Sequence, residues 1–505
     1  MVCALSRLPP EILPVIFELL DGQSILRCSA VCRGWRSIVS SSTEMHYLVE
    51  LWADGLEPGH SLGRSSAEKL QRLLDWRQAW ATLNWSATSD FPITEHPRAY
   101  ELVGGVFAQH NTWPRSDFST LRLPGVDAPQ AQAMTRESVG VSSLDFAMDP
   151  TQDLVVFLYK VEFWSETGNF DIRSLSTLEP HPLAAHPTLS FDLRDDAFRR
   201  IFLQVADDVI GLLFRTSQVA EGSLRLVLFN WRTGTALLDL TGPELPHSIS
   251  DFALLSPRSY ILASVNVQSY IPGHGMHRGT GELHLYAFDG TRRNTDPDHI
   301  ASLQLPAPHP GRLLERVIVH SGPFCAGLVP GAQFVKSNAR RICVISLAYD
   351  RMESYSLYMH HAFFERCIQQ RTADADADTN TDAVRAPVVP WGDWGPHNTR
   401  LLRGRHVFWL RYVHGERVVS PVDAACPYRI EVLDFGIFLR RTDPDQEDVF
   451  LGPSTISSAS TVFKQDVVTC LPYRRITRDL DQRHILYLID QDRLIGVNEM
   501  NRSTD

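Results

Sequence analysis

The chain has 505 residues, of which 44% are hydrophobic, 21% charged and 10% aromatic, a balance that excludes a disordered or fibrous protein. Its net charge of −11 argues against a non-specific grip on nucleic acid or an anionic membrane. No run approaches the roughly 18 consecutive apolar residues of a membrane span, and Pro9, Pro10, Glu11 and Pro14 interrupt what would be the apolar core of a signal peptide.

In chain order, the first 90 residues read as helical. The stretch LPPEILPVIFELL, residues 8–20, opens with Pro9 and Pro10, which suit a helix N-terminus because a missing N–H costs nothing there. From residue 12 to 20 every side chain except Pro14 and Glu18 is apolar, and Pro14 delays or bends the first turn. Gly22 ends this helix, and Ser24 is the expected N-cap of the next, where Ile25, Cys28, Val31 and Cys32 follow helical spacing. After a break at Gly34, the residues Trp35, Ile38 and Val39 mark a third short helix. LEPGHSLG, residues 56–63, reads as loop. Leu70, Leu73, Trp76, Trp80 and Leu83 recur at steps of three and four, which predicts a helix over residues 66–83 packed against the next domain. The chain thus divides into a helical module at 1–51, a linker at 52–90 and a third region at 91–505.

In that third region short apolar runs of strand length, such as DLVVFLYK, VIGLLF and YRIEVLDF, alternate with Gly, Pro, Asp and Asn turns. A strand followed by a polar turn recurs near residues 123, 175, 231, 289, 349, 434 and 490. The one wide gap, between 349 and 434, holds RTADADADTNTDAVRAP, an acidic insert at 371–387 expected to be a disordered loop. About seven such units predict four-stranded blades around one axis, with six blades plus extra strands, or two β-sandwiches, as alternatives. The expected fold class is α+β multidomain: a small all-α module, a linker helix and an all-β propeller-like domain of about seven degenerate blades.

Residues 5–40 carry Leu5, Leu8, Ile12, Leu13, Val15, Ile16, Phe17, Leu19, Leu20, Ile25, Leu26, Val31, Trp35, Ile38 and Val39. So short a segment is too small to hide that much apolar surface inside itself. Leaving several large aliphatic side chains in water forgoes roughly 1.5–3 kcal/mol each and invites aggregation. Either the third region or a partner protein covers the surplus, and the linker favours the partner.

The same residues, LPPEILPVIFELLDGQSILRCSAVCRGWRSIV, resemble an F-box: Leu-Pro-x-Glu-Ile, an apolar helix, a break, then Leu-x-x-Cys-x-x-Val-Cys-x-x-Trp. The likeness covers about residues 5–50. It implies a small helical module docked on a Skp-type adaptor, and through it a cullin and a RING subunit engaged in ubiquitin transfer. Carried over by position, the adaptor-facing residues are Leu8, Pro9, Ile12, Ile16, Leu20, Val31, Cys32 and Trp35. Trp35 is the kind of aromatic anchor that dominates an interface. The whole chain, through EKLQRLLDWRQAW, DFAMDPTQDLVVF and NWRTG, is also similar to the F-box proteins of mushroom-forming fungi.

Catalytic patterns are missing from the sequence. GHGMHRGTG, residues 273–281, has glycines and histidines without a phosphate-loop lysine or a strand–helix setting, and reads as a hairpin loop. The eight cysteines form no Cys-x-x-Cys pair, so zinc is not expected, and such scattered thiols suit the cytosol or nucleus. No cofactor or metal is expected, and the chain is not expected to be an enzyme. A substrate receptor of a ubiquitin ligase, binding an unknown target protein through its propeller, is the leading expectation. The alternatives are an F-box scaffold without ubiquitin transfer and a propeller enzyme. Trp391 and Trp394, just after the acidic insert, are the candidate target-binding aromatics. Of 48 basic residues only Lys69, Lys160, Lys336 and Lys464 are lysine, a shortage that arginine-favouring codons of a GC-rich genome explain or that spares a receptor acceptor amines for its own modification.

Overall fold

The structure is a computed structural model. It describes residues 11–498 apart from 61–62, 94–96, 112–116, 126–129, 137–138, 162–165, 194–199, 216–223, 272–274, 294–295, 311, 330, 351–352, 378–385, 405–409 and 437–447.

Four short helices open the chain: α1 (Ile12–Glu18), α2 (Gly22–Val31), α3 (Arg33–Ser41) and α4 (Thr43–Ala53). The break before α2 is capped by Asp21, whose carboxylate accepts the Ser24 N–H at 2.9 Å. Asp21, not Ser24, is therefore the N-cap. Its acidic group also sits at the positive end of the helix dipole. Cys32 lies between helices and does not share a face with Cys28; its sulfur accepts the Trp35 N–H and caps α3. Leu13, Phe17, Ile25, Val39 and Met45 form the module's own buried core. Gly22 lets α2 approach α4, since a Cβ there would lie 2.5 Å from Cβ of Trp52.

The linker is not free. Leu56–Pro58, expected as loop, is a strand that pairs antiparallel with Phe334–Lys336 of the β-rich domain. α5 (Ser66–Thr82) starts with a capping box between Ser65 and Glu68 and ends one residue short of the predicted helix. Its Trp76 and Trp80 donate their indole N–H groups to the main-chain oxygen of Gln491 at 3.1 and 3.0 Å. The Arg417 guanidinium lies 4.6 and 4.7 Å from those two rings. Arg77 pairs with Glu50 and Asp54, tying α5 back to α4. Module and β domain are thus joined by a packed, hydrogen-bonded junction.

The rest of the chain is a six-bladed propeller, not the seven-bladed one expected. Each of six sheets has four strands in meander order or five, and the inner strands of successive sheets neighbour one another around the axis. These inner strands are Ala99–Val103, Ser143–Asp149, Arg200–Ala206, Ile249–Ser256, Leu314–Ser321 and Val413–His414. The seventh unit supplies only a two-stranded hairpin, Leu486–Ile489 with Leu494–Val497. That hairpin fills the gap between the sixth and first blades: Leu488 packs with Leu102 and Leu123, while Tyr487 and Ile489 pack with Val419, Val432 and Trp80. Seven strand-and-turn endings overcount by one: each blade contributes one ending, blade 5 from its second strand, and the seventh belongs to the hairpin. The ending near 349 closes the second strand of blade 5, Ile342–Tyr349, and the one near 490 closes the first strand of the hairpin. Blade 5 carries a long insertion at 322–341 between its first two strands.

Two further expectations change. The acidic insert begins inside α6 (His361–Ala377), whose Phe363 and Phe364 are buried, while residues 378–385 lie outside the described residues. The stretch Gly275–Gly281, expected as a hairpin loop, is instead strand paired with Ser259–Ile271, while residues 273–274 of that motif lie outside the described residues. No helix of the described residues is long and apolar enough to cross a membrane.

Candidate protein-docking site

The apolar surplus of the N-terminal helices stays on the outside. On α1, Leu13 and Phe17 point into the module, while Ile12, Val15 and Leu19 are 45%, 58% and 84% exposed. The spacing of three and four places these three on one outward stripe. On α2, Leu26 and Val31 are also in solvent, at 41% and 65% exposure. Half-buried Ile16, Leu20 and Trp35 line the base of this face, their inner atoms against the module core. Trp35 meets Phe17 edge to face at 5.0 Å, so it shapes the surface and also helps hold the module together. Glu11, Glu18, Arg27, Arg33 and Arg36 of the same segment are exposed as well, so charged and apolar side chains share its surface.

The propeller covers none of these outward side chains, because it is engaged by the opposite end of the module. Tyr47 and Leu51 of α4 pack with Leu56, Leu73 and Phe334, and so meet the β domain. Sequence reading missed α4, although its alternation of Met45, Leu48 and Leu51 gave a signal: that helix seals the inner face of α1–α3 and turns their outer face to solvent.

Of the eight residues carried over from the F-box likeness, Leu8 and Pro9 lie outside the described residues. Ile12, Val31 and Cys32 are exposed, and Ile16, Leu20 and Trp35 half-buried, all on the α1–α3 side of the module. Val15, Leu19 and Leu26 join this face and were absent from the residue-by-residue carry-over, although their apolar character and helical phase were visible.

Residues 5–46 match the family model of the F-box-like domain. The N-terminal module is an F-box-like domain. It precedes an all-β propeller, and F-box domains in general bind Skp-type adaptors. No curated protein sequence matches the chain. Among solved structures it is similar to Chaetomium thermophilum Sqt1, at 11% identity over 78% of this chain and 87% of that one, with a TM-score of 0.33. A likeness to Kuenenia stuttgartiensis hydrazine synthase has 10% identity, covers 63% of this chain and 86% of that one, and scores 0.34. Kluyveromyces lactis Hsv2 shares 8% identity over 55% of this chain and 72% of that one, scoring 0.30.

The two aromatics expected for target recognition pack on each other but differ in burial. Trp394 is 2% exposed, stacks on Phe363 at 5.6 Å and donates its indole N–H to the Gln304 oxygen at 2.9 Å. It is core between blades 4 and 5, not a recognition surface. Trp391, half-buried at the start of α7 (Trp391–Asn398), packs edge to face on it at 5.1 Å. Among the described residues no group of His, Cys, Asp and Glu side chains gathers as a metal site.

Proposed function

We propose that this chain is the substrate receptor of a cullin–RING ubiquitin ligase, related to the F-box proteins of mushroom-forming fungi. The F-box-like domain docks on a Skp-type adaptor through Ile12, Val15, Leu19, Leu26 and Val31, and the propeller holds a target protein. The chain performs no chemistry of its own. It raises the effective concentration of target lysines near the charged conjugating enzyme.

One observation carries this reading: Ile12, Val15, Leu19, Leu26 and Val31 remain exposed although the module has its own buried core. Such exposed apolar side chains make a protein-binding surface. The packed junction supports the same reading, since a receptor that positions a target gains from a fixed distance between adaptor and propeller. The scarcity of lysine fits a receptor spared from its own ligase: Lys336 is buried in an ion pair, and Lys69 lies over the Tyr47 ring.

The test is affinity purification of wild type beside a Leu19→Asp/Ile12→Asp variant. Both side chains are exposed, so the fold survives the change. Adaptor and cullin are expected with wild type and lost with the variant. Recovery of both with the variant would overturn the proposal, and adaptor without cullin in wild type would favour the scaffold.

A further inference from the structure

The two ends of the propeller axis differ. The insertion of blade 5, residues 322–341, runs across the end that faces the F-box-like module. Its Ala326 and Gly327 amides donate to Asp149 and Thr151 of blade 2 at 3.0 and 2.9 Å. Gly104 of blade 1 lies against its Val329, and Phe324 packs on the core of blades 3 and 4. Arg341 then donates to the main-chain oxygen of Leu255, at the end of the inner strand of blade 4. A loop from one blade that reaches four others caps this end of the axis. The inner strands end there, so their starts ring the opposite mouth, on the side away from the module.

That mouth is basic in a chain whose net charge is −11. Arg200 opens the inner strand of blade 3 and stands directly across from Arg215 on the next strand. Both are exposed, and neither side chain has a hydrogen bond or salt bridge among the described residues. Like charges facing each other across a strand pair are destabilising, and nothing in blade packing requires them. Arg316, near the start of the inner strand of blade 5, adds its charge to the same place: burial, then Arg316 and Arg215, push the Arg200 pKa down. The carboxyl group that offsets this on Arg200, Asp251, is buried and already accepts the Phe252 and Val319 amides at 2.8 and 2.6 Å. Burial also raises its pKa to about 7, which weakens what compensation it offers. Arg98, exposed just before the inner strand of blade 1, lies on the same rim and donates to the Leu144 oxygen at 3.0 Å.

Resting on the receptor reading above, we infer that the mouth ringed by Arg98, Arg200, Arg215 and Arg316 is the target-binding surface, and that it takes an anionic peptide segment of the target. An extended acidic segment lying across the mouth would place carboxylates between Arg200 and Arg215, relieving their repulsion while guanidinium forks supply paired hydrogen bonds. The capped end leaves this as the axial face on which a target is held clear of the adaptor.

The experiment uses the full-length chain and three fluorescein-labelled peptides of equal length: Glu-rich, phosphoserine-rich and the Gln-rich counterpart. Anisotropy at low salt is expected to give about tenfold tighter binding of the Glu-rich peptide than of the Gln-rich one, a difference that shrinks as salt is raised. An Arg200→Gln/Arg215→Gln variant should bind all three alike, whereas Arg200→Lys/Arg215→Lys and the control Arg293→Gln, in an exposed loop at the capped end, keep the preference. Binding of the phosphoserine peptide without the Glu-rich one assigns the anion to phosphate, and binding of both makes carboxylate sufficient. Equal binding of charged and neutral peptides by wild type, or an unchanged preference in the Gln variant, would overturn the inference. Adaptor capture by the Leu19 face is read separately, so each claim fails on its own measurement.

Discussion

The buried ammonium group of Lys336 donates to the main-chain oxygen of Asp54 at 2.8 Å, a bond from the propeller to the C-cap of the last F-box-like helix. The same amine pairs with Glu416 at 3.1 Å, and Arg340 holds the other carboxylate oxygen at 2.9 Å. Burial alone would raise the Glu416 pKa, yet Lys336 and Arg340 bring it down to about 2. Domain orientation therefore rests on an ion cluster beneath the Leu56–Pro58 strand, as well as on apolar packing.

Replacing Lys336 with Met should loosen that junction. Removing one partner of a buried pair leaves the other uncompensated, at a cost of about 3 kcal/mol when no second partner remains and less here because Arg340 stays. Hydrogen exchange of α4 and α5 should accelerate, while exchange in blades 2 and 3 is unchanged. Equal protection in both proteins would mean that packing of Tyr47, Leu51 and Phe334 suffices.

Phe17 and Leu19 lie two residues apart and should behave as opposites. Phe17→Ala empties a buried site and should destabilise the module by about 3–5 kcal/mol. Leu19→Ala removes an exposed side chain and should leave thermal unfolding within about 0.5 kcal/mol of wild type while weakening adaptor capture. Similar unfolding shifts for the two variants would contradict the outward orientation of Leu19.

His110 is 1% exposed, and neither ring nitrogen has a hydrogen-bond partner among the described residues. Burial, with a smaller contribution from Arg98, lowers its pKa to about 4. Between pH 6.5 and 4 the unfolded chain binds a proton that the folded one refuses. The stability held at neutral pH is therefore lost as pH falls through that window. His110→Leu should remove this loss, gaining on the order of 2 kcal/mol relative to wild type at pH 5 beyond any gain at pH 7.5. Thermal melts at the two pH values give the comparison, and an equal gain at both would assign the benefit to packing alone.

Trp394→Ala should cost stability through the lost stack on Phe363 and the lost bond to Gln304, by about 3–5 kcal/mol. The acidic-peptide preference of the folded protein should persist. A selective loss of peptide binding with unchanged melting would restore Trp394 as a recognition residue.

Local signals carried far into this molecule. The apolar run from Ile12 to Leu20, the break at Asp21–Gly22 and the Leu70–Trp80 stripe each mark a helix because periodicity and capping act over a few residues. Strand texture after Phe91 announced a propeller for the same reason. Blade count was less legible, because it depends on which strand sits innermost. A strand-and-turn ending looks alike whether it closes the third strand of a blade, as near 231, or the first strand of the extra hairpin, as near 490.

The sequence by itself determined that the first helices carry more apolar surface than their length can enclose, and that short alternating strands follow. Tertiary structure decided which of those side chains remain outside: α4 seals Leu13 and Phe17, and the pairing of Leu56–Pro58 with Phe334–Lys336 turns Ile12, Val15 and Leu19 away from the propeller. It also decided that Trp394 is core and that Arg200 faces Arg215. Helical phase and strand alternation are set by neighbours along the chain, whereas exposure depends on partners hundreds of residues away, whose arrival no local pattern records.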